Sequence, residues 1–166
     1  MTPFLFEHEF QCADPAAFWR CYFDEEHEAR LDEALGLQAR EVLEDTDDGT
    51  TRLLRYRVVP KRQIPGWLRA VTRAGLEYDE ESIFYKADNR IEISIRPALM
   101  PGRTRIESTY SVVAIEPGRV LRRCEGEIEM RIPVIGGRLE RAIVRDMEAS
   151  YEVAVPLTQA CLDLHR

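Results

Sequence analysis

The chain has 166 residues, enough for one domain of ordinary size, and 45% of them are apolar against 32% charged. That apolar share supports a hydrophobic core and excludes a disordered chain. A formal charge of −7 excludes a global basic footprint for nucleic acid, and no run approaches the ~20 apolar residues of a membrane-spanning helix.

Residues 1–9 show neither a basic start nor a long apolar stretch. No secretory signal is expected, and the protein is read as cytoplasmic. Cys12, Cys21, Cys124 and Cys161 form no CxxC pair and match no zinc spacing. They read as reduced, buried, small apolar side chains. The sequence calls for no metal and no cofactor.

The first strand is expected over 4–12, where Phe4, Phe6, His8 and Phe10 share one face and Glu7 and Glu9 the other. Asp14 and Pro15 then open a helix, as cap and first residue, with Phe18, Trp19, Tyr22 and Phe23 as its apolar stripe. A second short helix is expected over 25–35, stopped by Gly36. Strands over 38–44 and 52–59 flank the hairpin signal Asp47-Asp48-Gly49. The acidic tip Asp45, Asp47 and Asp48 lacks the calcium-loop spacing and reads as a solvated turn.

Between 61 and 75 the strand pattern lapses into a turn at Ile64-Pro65-Gly66 and a short helix with Trp67, Leu68 and Val71 on one side. A hairpin over 76–86 and 90–96 follows, with Ile91, Ile93 and Ile95 alternating with polar residues. Two long strands, 104–115 and 120–132, turn at Glu116-Pro117-Gly118. In the last, Val120, Cys124, Gly126, Ile128 and Met130 share a face while the glutamates face away. A final helix after 137 aligns Leu139, Ile143, Met147 and Tyr151, and Pro156 is expected to end or kink it.

The order is therefore strand, two short helices, about six strands and one long helix. A meander of this kind curls, and the last helix is the only element long enough to fill the curl. A curved sheet cannot close tightly on one helix everywhere, so a cavity between them is expected.

This order resembles the START/polyketide-cyclase-like superfamily, also called SRPBCC or the Bet v 1-like helix-grip fold, and within it an uncharacterised bacterial domain-of-unknown-function family. The residues carrying the likeness are Ala13-Asp14-Pro15-Ala16-Ala17-Phe18-Trp19 and, more specifically, residues 126–140, GEIEMRIPVIGGRLE. Pro65-Gly66-Trp67-Leu68 is also similar. The resemblance implies an α+β helix-grip fold spanning residues 1–166 as a single domain. It also implies a pocket for a lipid, sterol, polyketide or other hydrophobic metabolite. It carries over no functional residue set, and a shared fold does not fix a function.

The candidate ligand contacts are Phe6, His8, Tyr56, Trp67, Ile93, Ser108, Tyr110, Met130, Ile143, Met147 and Tyr151. They are apolar walls with a few hydroxyls and one imidazole, the mixture a specific small-molecule pocket needs. His8 lies among phenylalanines and is either a ligand contact or a satisfied core histidine. Trp67, with Ile64 and Leu68, is either a lid or a plug. Arg122 shares the inward face, where a head-group contact competes with a place at the strand's solvent end, the reading preferred from sequence. Cys124 has no sequence neighbour to activate it.

The leading expectation is non-catalytic binding, as carrier or sensor, of a hydrophobic small molecule or lipid. A cyclase, dehydratase or hydrolase on a polyketide-like or aromatic substrate is the alternative. A protein-interaction or homodimerisation module is the second alternative. Neither nucleic acid nor stable membrane insertion is expected.

Overall fold

The computed structural model describes residues 1–60, 77–98 and 101–165. Seven strands form one antiparallel sheet: β1 Thr2–Gln11, β2 Leu37–Asp47, β3 Thr51–Pro60, β4 Tyr78–Tyr85, β5 Arg90–Pro97, β6 Thr104–Glu116 and β7 Arg119–Met130. Their spatial order is β1-β7-β6-β5-β4-β3-β2. Two short helices, α1 Pro15–Tyr22 and α2 Glu25–Ala34, follow β1, and α3 Gly136–Leu164 closes the chain. This is the expected helix-grip arrangement. The turn and short helix expected around Ile64 and Trp67 lie outside the described residues.

Sequence chemistry sets the corners. Asp14 and Asp24 cap α1 and α2, accepting from the amides of Ala17 at 2.7 Å and His27 at 2.8 Å. At the β2–β3 tip, Asp47 accepts from the Gly49 amide and Asp48 from those of Thr50 and Thr51. Lys86 pairs with Asp47 and Arg52 with Asp45, so the acidic tip is the solvated turn the sequence implied.

The sheet curls around α3. Bulges interrupt β2 at Leu37/Ala39 and Val42/Glu44, and β6 at Ala114/Glu116. Gly126 allows a tight approach of β7 to β6, because a Cβ there would stand 2.7 Å from Ser108 Cα. No side chain fits at that point of the curl.

The core fills the grip from the β1, β7 and β6 side. Phe10, Phe18, Val112, Val120 and Ile128 are almost wholly buried, each worth about 1.5–3 kcal/mol relative to exposure. Phe10 and Phe18 lie 5.5 Å apart between ring centres, and Trp19 stands 4.6 Å from Phe84. Glu140, near the start of α3, clasps the helix to the sheet. Its carboxylate accepts from the Met130 amide at 2.8 Å and the Thr2 hydroxyl at 2.7 Å.

Three expectations change. α3 runs through Pro156 without ending: Thr158, Cys161 and Leu162, buried beyond it, hold the last turns against the fold and offset the lost donor. Arg122 is not at a solvent end but 3% exposed. Its guanidinium lies 5.0 Å from the ring centres of both Phe10 and Tyr151 and donates to the Tyr151 carbonyl at 3.4 Å. The cysteines are buried as expected, but Cys21 and Cys161 are paired as a disulfide, 140 residues apart in sequence.

Candidate ligand-binding site

The inner sheet face divides into two regions. The first lies between α3 and strands β1, β7 and β6. Phe6, Tyr110 and Met130 are buried there, and Ile93, Ile143, Met147 and Tyr151 pack half-buried against them. Phe6 and Tyr110 stand 5.2 and 6.4 Å from the Tyr151 ring centre. Ser108 and Tyr151 reach the Cys124 thiol, which burial nevertheless pushes up, keeping it protonated. His8 sits at the edge of this group, its Nε2 3.1 Å from Glu152 Oε1 and its ring 6.3 Å from Tyr151. Its Nδ1 is buried with no hydrogen-bond partner among the described residues. Thus the structure brings nine sequence-expected residues to one region. Tyr56 lies apart, and Trp67 is outside the described residues.

Tyr56 belongs to the second region, a partly open cavity of about 290 Å³ between strands β2–β5 and the α1–α2 elbow, whose lining includes no residue of α3, unlike the cavity the sequence led one to expect. Alternation along the strands builds its floor: Leu54 and Tyr56 on β3, Glu80, Ser82 and Phe84 on β4, and Ile91 on β5 all point inward. Tyr22 and Phe23 at the end of α1, and Leu31 and Leu35 near the end of α2, form the opposite wall. A larger depression of about 480 Å³ on the outer face, among Glu81, Glu92, Glu107 and Glu125, is an open groove between strands and offers no enclosure.

The cavity carries charge among its apolar walls. Arg40 donates to Glu28 and to Asp32, each at 2.7 Å, and lies 5.1 Å over the Tyr56 ring. Burial works against its charge, but Asp32, Glu28 and Glu80 outweigh that and hold it firmly cationic. Glu80 accepts from Ser82 Oγ at 3.1 Å. Burial pushes its carboxyl up, and Arg40 and Ser82 only partly restore the charged form. It is deeply enclosed yet only half-buried by accessible surface, as a side chain facing a cavity must be. Burial likewise pushes the Tyr22 and Tyr56 hydroxyls up, so both remain neutral donors.

Arg40, Glu80 and the α2 acids were not among the sequence-expected residues. Glu80 was findable: it occupies the inward phase shared by Ser82 and Phe84, where an acid has no reason to be unless it faces a cavity. Arg40 was not, because its partners lie on a different element.

A curved antiparallel sheet gripping one long helix, with two short helices after the first strand, defines a START-like helix-grip fold. A family model described as protein of unknown function (DUF2505) matches residues 6–160, and the chain belongs to that family. No curated protein matches the sequence significantly. Among solved structures, a START superfamily protein from Mycobacterium smegmatis aligns at 14% identity with a TM-score of 0.62, covering 99% of both chains. Norcoclaurine synthase from Thalictrum flavum, in complex with dopamine and hydroxybenzaldehyde, aligns at 15% identity with a TM-score of 0.61, covering 98% of this chain and 88% of its own. The Zhui aromatase/cyclase from Streptomyces sp. R1128 aligns at 12% and 0.53, covering 97% and 92%. These likenesses establish the fold.

Proposed function

We propose that the protein binds a hydrophobic small molecule or lipid, as a carrier or sensor, without transforming it. The observation that carries this reading is the partly open cavity of about 290 Å³ lined by Phe23, Leu54, Phe84 and Ile91, with Tyr56, Arg40 and Glu80 among its orienting groups. The half-buried Ile93, Ile143, Met147 and Tyr151 extend an accessible apolar wall along the inner side of α3. On this reading the ligand's apolar body lies on these walls and its polar end meets Tyr56 and Glu80. Phe6, Tyr110, Met130, Ser108 and His8 shape the far end.

One observation favours the second reading, an enzyme of the cyclase, dehydratase or hydrolase type. Glu80 is a carboxyl whose pKa burial raises and which faces a cavity, the direction of shift a general acid needs. Against it, His8 is engaged with Glu152 at the other end of the fold and the Cys124 thiol is not activated.

Native mass spectrometry of the protein as purified, followed by solvent extraction, tests the proposal. A stoichiometric apolar molecule supports binding. A bare mass that persists after incubation with a total lipid extract contradicts it. Conversion of an extracted molecule by the parent protein but not by Glu80→Gln would replace binding with catalysis.

A further inference from the structure

A cluster outside the cavity is absorbed neither by the fold nor by the proposed function. Cys21 ends α1, His27 lies in the first turn of α2 and Cys161 lies near the end of α3. Their ligand atoms, two sulfurs and one imidazole nitrogen, all lie within 4.8 Å of one another. The residues are 0%, 5% and 6% exposed. Three soft or borderline donors from three helices meet in one buried spot.

We propose that the reduced form of this cluster is a Zn²⁺ site held by Cys21, His27 and Cys161, mutually exclusive with the Cys21–Cys161 disulfide. Two thiolates and an imidazole are the donor set zinc prefers, and three protein ligands leave a fourth position for water. The charge balance suits the setting. Zn²⁺ with two thiolates carries no net charge, so the buried complex needs no further counter-ion. A neutral imidazole nitrogen is the form that ligates. The Cα atoms of the two cysteines are 6.1 Å apart, so either linkage is reached with the helices in place.

The two states are connected by balanced chemistry. A dithiol reductant gives the disulfide two electrons and two protons, becoming a disulfide itself and leaving two protein thiols. Zn²⁺ then displaces both thiol protons into solvent as it binds the two sulfurs and the His27 nitrogen. No sequence motif announces such a site, because its ligands are spread over 140 residues and no CxxC spacing is involved.

The test uses the full chain, reduced with a dithiol, freed of reductant without oxygen and titrated with Co²⁺. The parent should develop a thiolate-to-cobalt charge-transfer band and tetrahedral d–d bands, saturating at one equivalent and bleached by one equivalent of Zn²⁺. Cys161→Ser should lose at least half of the charge-transfer intensity, and His27→Gln should weaken Co²⁺ affinity at least tenfold, circular dichroism confirming that each variant folds. Cys12→Ser/Cys124→Ser, which retains only the two proposed sulfurs, should keep the full parent spectrum. A reduced parent that shows no thiolate band overturns the proposal. So does a band that keeps more than half of its intensity in Cys161→Ser or disappears in the Cys12→Ser/Cys124→Ser variant. Since the cluster does not line the cavity, none of these outcomes bears on ligand binding.

Discussion

At the β1–β7–β6 end of the grip, Glu140 is buried and fully engaged, accepting from Thr2 and from the Met130 amide. At the β2–β5 end, Glu80 has only Ser82 as its hydrogen-bond donor among the described residues and faces a cavity. The first carboxylate is pushed up by burial, but its hydrogen bonds and the amino terminus outweigh that and hold it below the ordinary range. The second is left above that range because burial wins. One end of the sheet spends its polar groups on fastening α3, and the other keeps them available. A carboxyl whose charged form burial disfavours, facing a cavity, is one of the features on which the proposed ligand site rests.

The comparison predicts its largest effect in the fastened end. Phe18→Ala should cost about 3–5 kcal/mol in urea unfolding, as for an aromatic side chain removed from a close-packed core. A loss near 1 kcal/mol would mean that this end is also loosely filled. Glu140→Ala should cost about 1–3 kcal/mol by leaving the buried Met130 amide unpaired. Glu140's folded pKa is depressed, so its contribution is complete above the ordinary value of 4.5 and is lost as pH falls through the folded value. A melting-temperature series down to pH 2 should therefore show parent and Glu140→Gln converging at the acid end.

Glu80 should behave in the opposite sense. Its folded pKa is raised, so the unfolded chain releases that proton first and stability falls as pH rises from the ordinary value of 4.5 toward the folded one. Glu80→Gln should melt higher than the parent at pH 7, with the gain shrinking as pH falls toward 4.5 and absent below it. A variant that melts lower at pH 7 would make Glu80 a structural residue and dissolve the contrast. The smallest effect is expected at Val134, which is fully exposed and holds φ +70 in the turn between β7 and α3. Val134→Gly should gain about 1 kcal/mol by relieving a β-branched residue in the left-handed region, measured by the same urea titration.

The fold was legible because its signals are local. Alternation in β1, β5 and β7, the Asp14-Pro15 helix start and the turn at Asp47-Asp48-Gly49 each declare an element within a few residues. The 126–140 stretch now has a physical reading. Gly126 allows the tight β7–β6 approach and Glu140 clasps α3, so the stretch that carried the resemblance builds the fold and says nothing about the ligand. The site was legible only in part. Tyr56 was reachable by strand phase, whereas Arg40 takes its meaning from Glu28 and Asp32 across the α2–β2 connection. Arg122 was misplaced because a lone arginine in a strand reads as solvated, and the Phe10 and Tyr151 rings together with the Tyr151 carbonyl support its burial. The Cys21–Cys161 pairing crosses most of the chain and leaves no local trace.

The account rests most heavily on the cavity between β2–β5 and the α1–α2 elbow as the place where a ligand sits. The most direct measurement is native mass spectrometry of the purified protein beside Leu54→Trp, which fills that cavity from its floor and should cost no more than about 1–3 kcal/mol by overpacking. The account predicts an apolar molecule retained by the parent and absent from a folded Leu54→Trp. Equal occupancy in both proteins would place the ligand elsewhere in the grip, and a parent that stays bare after exposure to a lipid extract would contradict the binding function itself.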